Sequence, residues 1–353
     1  MPRTFTDLVR HALNGPTMGT RWSGLFDASP ATDADPIRCA LAESVDLVDR
    51  QMSTWKPESD LMRVNRAPAG KWVSVPPELM KVLARGLEIG RLSDGAFDIG
   101  MGDVVAAWGF GPQHADTQAI RIALGRTHAL AHEVLELDGD ALRVRKHAPM
   151  TLDLAGIAKG YAVDRMMAVL GRFGITDALV GLDGEMRACG QRPDGRPWTV
   201  ALERPNFEER APLSILELAD SAVATSGDYR HWLDVGGRRL SHTMDPARGG
   251  PATGSPASVT VLGESCMDAD AWATALMVRG AREGLEVARH HGLKAIFIER
   301  VGETLRQSRV GWTEGKEHPA AHSPVALAPE ADPQWRKTSL IRPSDALPSS
   351  AGN

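Results

Sequence analysis

The chain has 353 residues, of which 42% are hydrophobic and 24% are charged. This composition is that of a soluble globular protein, and it excludes fibrous, fully disordered and membrane-embedded chains. Because 40 Lys and Arg face 45 Asp and Glu, the net charge is -5, which argues against a sequence-independent electrostatic grip on nucleic acid or on an anionic membrane. The length allows two domains or one large domain.

Targeting signals are not evident in the chain as given. The first residues carry scattered charges without an apolar run of signal-peptide length, and no stretch approaches the roughly 18 apolar residues of a membrane span. Cys39, Cys189 and Cys266 are too widely separated to suggest a disulfide framework or a cysteine zinc site. We therefore expect a cytoplasmic protein, or a periplasmic one if a leader has been removed.

Hydrophobic spacing predicts an α+β fold with mostly antiparallel strands and packed helices. Helices are predicted at 37–52 and at 77–92, and an alternating hairpin at 134–146 turns at Asp138-Gly139. A strand at 151–154, a tight loop at 155–160, a helix at 161–172 and a strand at 178–182 follow. Further along, the pattern predicts a strand at 257–263, helices at 267–279 and 282–291, and a final strand at 293–299. From about residue 313 the chain is rich in Pro, Ala and Ser, which predicts a flexible tail.

The segment TLDLAGIAKGYAVD, residues 151–164, carries a small-residue turn between the predicted strand and the next helix. Small residues let backbone groups approach a ligand, and the dipole of a helix N-terminus favours phosphate, which Lys159 could reach. The Walker pattern GxxxxGK[ST] is absent, and plain turn chemistry is the commoner explanation for such a segment taken alone.

Asp270 and Thr274 lie four residues apart on the predicted helix at 267–279 and therefore face the same way. A carboxylate and a hydroxyl one turn apart can hold a hard cation such as Mg²⁺. Taken alone, the pair is more often explained by helix capping and by a bond from Thr to the i-4 carbonyl.

Two further segments carry groups of interest. His242 stands three residues before Asp245 in SHTMDP, a possible base with an acidic orienting group, although a His before an Asp-Pro turn is more often a structural hydrogen-bonder. Met18 and Trp55 could stack on a flat ligand, although Trp is equally common as a core anchor.

Together and in this order, the segments resemble the FAD:protein FMN transferases of the ApbE type. The resemblance runs from Met18 to about Glu299. Each of its eight motifs is a weak to moderate signal alone, but eight motifs in a fixed order are highly specific. It is carried by MGT at 18–20, MSTWKPESDLMRVN at 52–65, SDGAFDIGMGDVVAAWGFG at 93–111, LDLAGIAKGYAVDR at 152–165, LVGLDGEMRACG at 179–190, AVATSGDYR at 222–230, SHTMDP at 241–246 and SVTVLGESCMDADAWATALMV at 258–278.

The resemblance implies a T-fold-related, ApbE-like domain over 17–312, with room for two subdomains, between an N-terminal extension at 1–16 and the tail at 313–353. It also implies the reaction. FMN would move through its phosphate from FAD to a Thr or Ser hydroxyl of a target flavoprotein, with Mg²⁺ as cofactor and AMP as product. The acceptor would carry a motif of the Ser/Asp-Gly-Ala-Thr/Ser type.

Carried over position by position, the resemblance also implies the site. The metal would be held by Asp270, Thr274, Ala273 and a backbone carbonyl, for which Gly156 is the first choice and Ala158 the neighbouring alternative. His242 would assist deprotonation of the acceptor hydroxyl, with Asp245 orienting it. The expected nucleotide contacts are Met18, Trp55, Ala96, Phe97, Asp98, Asp153, Lys159 and the backbone at Met244.

The chain departs from the family pattern in three places. It has GAFDIGMGDVV where GAFDPTVGPLV is common, DLAGIAKG for DLGGIAKG, and LDGE for LGGD, which puts Asp183 at a glycine position. Two other functions stay open: an Mg²⁺-dependent FAD pyrophosphatase that uses water as the acceptor, and an FAD-binding protein without catalysis. The intact set of Lys159, Asp270 and Thr274 argues against the last.

Overall fold

The computed structural model describes residues 8–125, 128–207, 210–230, 232–235 and 238–312. The predicted tail at 313–353 lies outside the described residues. Within these ranges, no helix is both long enough and apolar enough to cross a bilayer.

Most helices lie in the first half of the described chain, and strands predominate in the second half. The first half contains β1 (Val9–Thr17), β2 (Thr20–Ala28), α1 (Ala34–Met52), α2 (Asp60–Arg66), β3 (Trp72–Ser74), α3 (Pro77–Leu92), α4 (Gly102–Ala107), α5 (Thr117–Gly125), α6 (Ala131–Val134), β4 (Leu135–Asp138), β5 (Arg143–Lys146) and α7 (Ala158–Arg172). The second half contains β6 (Ala178–Leu182), β7 (Glu185–Cys189), β8 (Trp198–Glu203), β9 (Pro212–Leu218), β10 (Ala222–Gly227), β11 (Trp232–Val235), β12 (Arg238–Ser241), β13 (Met244–Asp245), β14 (Gly250–Pro251), β15 (Ser258–Gly263), α8 (Cys266–His290), β16 (Lys294–Val301) and β17 (Thr304–Val310).

An eight-stranded antiparallel sheet with the order β1-β2-β6-β7-β10-β15-β16-β17 is the centre of the fold. Side chains of β6 alternate between its two faces, as they must in a strand. Ala178, Val180 and Leu182 join the main core, whereas Leu179 joins a second cluster with residues of the β8–β9 hairpin. The helices α1, α7 and α8 contribute to the main core, on the face of the sheet that carries Ala178, Val180 and Leu182.

The edge strand β1 includes residues of the predicted N-terminal extension at 1–16. It pairs with β2 along its whole length, from Val9 opposite Ala28 to Thr17 opposite Thr20. Met18 and Gly19 form the two-residue turn with φ of 45° and 72°. Left-handed conformations at both central positions match the twist of the flanking strands.

Several predicted elements are confirmed, with boundaries shifted by a few residues. The helices at 37–52 and 77–92 correspond to α1 and α3, the hairpin at 134–146 to β4 and β5, and the strands at 178–182 and 257–263 to β6 and β15. In α1, apolar residues at helical spacing, Ile37, Leu41, Val45 and Val48, are all buried. The helix predicted at 161–172 begins at Ala158.

The two helices predicted at 267–279 and 282–291 are confirmed, because Gly280, with φ of 77° and ψ of 171°, is non-helical and separates them within α8. Two predictions are wrong in detail. Residues 151–154 do not form a strand; Thr151 makes one isolated bridge to Met101, and the Asn65 side chain bonds both the N–H and the carbonyl of Leu152. The strand at 293–299 is not the last, because β17 pairs with it.

Candidate active site

The N-terminus of α7 lies directly against the first turns of α8. A Cβ on Gly160 would be 2.3 Å from the carbonyl oxygen of Cys266, so a side chain at this position would push the two helices apart. The N–H of Gly160 donates to Oδ2 of Asp270 at 3.0 Å. Asp270 is only 5% exposed. The close approach therefore brings a buried carboxylate to the start of α7.

Asp164 of α7 fixes the beginning of α8. Its carboxylate accepts hydrogen bonds from the N–H groups of Cys266 and Met267 at 2.9 and 3.0 Å, and from the Ser265 hydroxyl at 2.9 Å. It also pairs with Arg187 of β7 at 2.5 Å. The first N–H groups of a helix have no acceptors within the helix, and the Asp164 carboxylate supplies acceptors for two of them. It thereby sets the position of Asp270, one turn later.

Thr274 lies beside Gly156 of the loop that precedes α7. Its Oγ1 is 3.2 Å from the Ser226 hydroxyl of β10. A Cβ added to Gly156 would be 3.1 Å from that Oγ1 and 3.2 Å from Cε2 of Phe97. Ala273, which precedes Thr274 in α8, is fully buried. The structure thus brings Gly156, Asp270 and Thr274 together, and their assignment as metal ligands stays a prediction.

These groups fit a hard cation of low protein ligand count. Within the described ranges there is no cluster of three or more His, Cys, Asp or Glu side chains that could hold a metal ion. A cation here would be bound by one carboxylate, one hydroxyl and backbone carbonyls, which are oxygen donors of the kind that Mg²⁺ takes together with water and phosphate oxygens. Gly156 leaves room beside Thr274 that a Cβ would fill.

Lys159, in the first turn of α7, is surrounded by carboxylates. Its Nζ is 2.8 Å from Oε1 of Glu185 and 3.7 Å from Oδ2 of Asp183. Burial disfavours the ammonium form, but Glu185, Asp270 and Asp183 outweigh it and raise the pKa of Lys159 above its usual range. Lys159 is therefore a fixed positive charge at the helix N-terminus.

The carboxyl group of Asp270 has a raised pKa. Burial, reinforced by the nearby charge of Glu185, raises its pKa from 3.8 to about 7, although Lys159 and the Gly160 N–H act in the opposite direction. Burial also raises the pKa of Glu185. A bound cation would favour the ionised form of these groups.

The Ala96-Phe97-Asp98 segment and Asp153 lie next to each other. The N–H of Asp153 donates to the carbonyl of Ile99 at 2.8 Å, and its carboxylate accepts the Ala155 N–H at 2.7 Å. Burial raises the pKa of Asp153. Ala96 and Phe97 are buried. The Phe97 ring reaches Gly156, where an added Cβ would be 3.2 Å from Cε2 of Phe97.

Asp98 has several partners within the protein. Its carboxylate accepts hydrogen bonds from the N–H groups of Gly100 and Ala131, and lies 3.1 Å from Nε2 of His128. Its side chain is 2% exposed. Asp98 thereby holds the loop that carries Phe97, while its contact with nucleotide stays a prediction.

The remaining predicted contacts lie on turns. Met18 packs partly against the core from the β1–β2 turn, whereas Trp55 is 64% exposed in the α1–α2 connection. His242 precedes β13, with its ring 6.3 Å from that of Phe110. Met244 is buried with Met101 and Trp108. One oxygen of Asp245 accepts the Ala247 N–H at 2.9 Å and shapes the following turn.

The sequence model described as the ApbE family matches residues 18–297. The chain belongs to the ApbE family. It is 34% identical to a FAD:protein FMN transferase of Klebsiella pneumoniae over 299 residues, or 83% of this chain and 85% of the relative, and 31% identical to that of Escherichia coli K12 over the same shares.

Solved structures of ApbE proteins share the fold. The flavin transferase ApbE from Vibrio cholerae superposes with a TM-score of 0.76 at 32% identity, covering 86% of this chain and 97% of that one. The apo form of the Pseudomonas stutzeri flavinyl transferase ApbE gives a TM-score of 0.76 at 33% identity, covering 88% and 96%. The predicted family, α+β architecture and transferase class are confirmed.

Three residues at this site were not predicted to act there. Glu185 and Ser226 fall inside motifs that carry the family resemblance, and Asp164 falls inside a third. Their partners are distant in the chain: 26 residues separate Glu185 from Lys159, 48 separate Ser226 from Thr274, and 102 separate Asp164 from Cys266. Spacing along one element does not reveal such pairs.

Proposed function

We propose that this ApbE-family chain transfers FMN from FAD to a Thr or Ser hydroxyl of a target flavoprotein, with Mg²⁺ as cofactor and AMP as the second product. The observation that carries the proposal is the meeting of Lys159, Asp270, Thr274 and Gly156 at the N-terminus of α7. A fixed ammonium, hard oxygen donors and a helix N-terminus are the groups that phosphoryl transfer requires.

The reaction exchanges one phosphorus–oxygen bond for another. The acceptor oxygen bonds to the phosphorus of the FMN half, while the bond from that phosphorus to the bridging oxygen breaks and AMP leaves with that oxygen. The proton of the acceptor hydroxyl passes to a base. When bound, Mg²⁺ supplies positive charge to the phosphate oxygens, and Asp270, Thr274 and the Gly156 carbonyl would hold it.

The residues of the chain orient and stabilise the phosphates. Lys159 places a positive charge at the start of α7, where the partial charge of the helix dipole has the same sign. Asp164 keeps Asp270 in place by fixing the first turn of α8. The exposed ring of Trp55 offers a flat apolar surface of the kind that a flavin ring stacks on.

We expect His242 to assist removal of the acceptor proton, with Asp245 orienting the ring. The basis is the position of His242 in SHTMDP and its half-buried site before β13. Since an ordinary His titrates at roughly pH 6.5, the transfer rate should fall in His242→Ala, with an altered profile between about pH 6 and 9. A variant that keeps the full rate across this window removes the hypothesis.

The proposal is tested by incubating the protein with FAD, MgCl₂ and an acceptor domain that bears the expected motif. Mass spectrometry of the acceptor should show a gain of FMN minus water, and EDTA should abolish it. Asp270→Ala should lower the rate at least about a hundredfold, as expected for loss of a ligand to a catalytic cation. Asp268→Asn is the matched control on the same helix, because Asp268 pairs with Arg85 instead.

The other possible outcomes separate the alternatives. AMP and free FMN from the wild-type protein, without any modified acceptor, would favour the pyrophosphatase. Tight FAD binding without turnover would favour a flavin-binding protein.

A further inference from the structure

We propose that Glu185 is a positioning residue that fixes the ammonium of Lys159 before FAD binds, an inference that rests on the proposed function. Glu185 begins β7, and Leu182 and Glu185 are paired across the short turn that joins β6 to β7. This turn faces the first turn of α7, where Nζ of Lys159 donates to Oε1 of Glu185 at 2.8 Å. No role is implied for Glu185 by the family resemblance.

Glu185 is more deeply buried than Lys159, so the fixed partner is Glu185 and the side chain that it holds in place is Lys159. The Glu185 side chain is 3% exposed, whereas that of Lys159 is 30% exposed. Oε2 of Glu185 has no hydrogen-bond partner among the described residues. Lys159 is therefore the cation that compensates this buried carboxylate. If the ammonium moved away, Glu185 would be left as an uncompensated buried charge, which is strongly unfavourable.

This arrangement restrains a side chain that would otherwise be flexible. Lysine has four rotatable bonds and loses considerable rotamer freedom when its ammonium is held at one place. Glu185 imposes that loss in the free protein, so FAD meets an ammonium that is already in position. Preorganisation of this kind increases affinity by reducing the ordering cost of binding.

Asp183 provides a matched control at the same turn. Its Oδ2 is 3.7 Å from the same ammonium, but its side chain is 42% exposed. Exposed ion pairs contribute little because solvent screens them. Asp183→Asn should therefore change FAD affinity less than about twofold, although it removes the same formal charge as Glu185→Gln.

The test is a double-mutant cycle on FAD binding, followed by flavin fluorescence without acceptor. Glu185→Gln should raise the dissociation constant of FAD about tenfold, the size expected for loss of a charge-assisted hydrogen bond. In the Lys159→Met background the same substitution should have little further effect, because Glu185 acts through Lys159. Glu185→Asp keeps the charge but shortens the side chain, and should also weaken binding.

Two results would overturn the inference. One is an unchanged FAD affinity in Glu185→Gln and Glu185→Asp. The other is an equal loss of affinity with and without Lys159, which would indicate a general structural effect; melting temperatures identify any variant that fails to fold. Because binding is measured without acceptor, a wild-type protein that shows the coupling but does not modify an acceptor would contradict the proposed function and leave the role of Glu185 standing.

Discussion

Asp270 combines burial, negative neighbours and one backbone hydrogen bond, and its pKa of about 7 follows from that environment. In the unfolded chain an Asp titrates near pH 3.8. The folded metal-free protein therefore binds more protons than the unfolded chain between about pH 4 and 7, so Asp270 lowers its stability progressively as the pH rises through this window. Above about pH 7 this loss is complete.

Asp270→Asn should consequently stabilise the metal-free protein at pH 8 more than at pH 5. Urea unfolding in EDTA at both pH values measures the difference, with Asp268→Asn as the control. Addition of MgCl₂ should stabilise the wild-type protein at pH 8 and leave Asp270→Asn unchanged, because only the former keeps the carboxylate ligand. An equal stability difference between variant and wild type at both pH values would contradict the assigned burial of the charge.

At the scale of elements, the contact between α7 and α8 depends on Gly160. Gly160→Ala should destabilise the protein by about 2 kcal/mol or more, because its Cβ would meet the Cys266 carbonyl oxygen and force the helices apart. Gly171→Ala lies in the same helix with no atom within 4 Å of the added Cβ. It should stabilise the protein by about 0.5–1 kcal/mol.

Chemical denaturation of the two glycine variants gives these values, and FAD binding shows whether the site moves with the helices. Gly160→Ala should also bind FAD more weakly, whereas Gly171→Ala should bind it as the wild-type protein does. Equal stabilities for the two variants would mean that the close approach at Gly160 is not needed.

Elements with a clear hydrophobic periodicity were predictable from sequence. Elements whose conformation depends on contacts with residues distant in the chain were not. Helices α1 and α3 bury a continuous apolar stripe, so their spacing alone located them. Residues 151–154 (TLDL) alternate polar and apolar side chains, which predicts a strand, but the backbone N–H and carbonyl of Leu152 bond to Asn65, 87 residues away. Strand β17 shows mostly exposed side chains and lacks a clear buried face.

The candidate site follows the same division. Gly156, Lys159, Asp270 and Thr274 are predicted as site residues from sequence because each lies in a motif and because Asp270 and Thr274 share a helix face. Glu185 and Asp164 were missed because their partners lie on other elements. Asp98 is predicted to contact the nucleotide, and its contacts with Gly100, Ala131 and His128 depend on a tertiary arrangement that no local pattern encodes.

For the whole molecule, the structure shows why the motifs occur together. Hydrogen bonds join them pairwise across the fold: Asn65 to Leu152, Ile99 to Asp153, Gly160 to Asp270, Lys159 to Glu185, and Ser226 to Thr274. Segments that are spread over more than half of the chain therefore converge on the N-terminus of α7. The eight-stranded antiparallel sheet and the helices α1, α7 and α8, which share its main core, hold these segments in place.

We propose that the acceptor is a protein hydroxyl and not water. The test follows AMP by chromatography and the modified acceptor by mass spectrometry in the same reaction with FAD and MgCl₂. We expect one AMP for each acceptor that gains FMN minus water, and negligible AMP when the acceptor Thr or Ser is replaced by Ala. AMP that accumulates at the same rate without a modified acceptor would show that water is the acceptor.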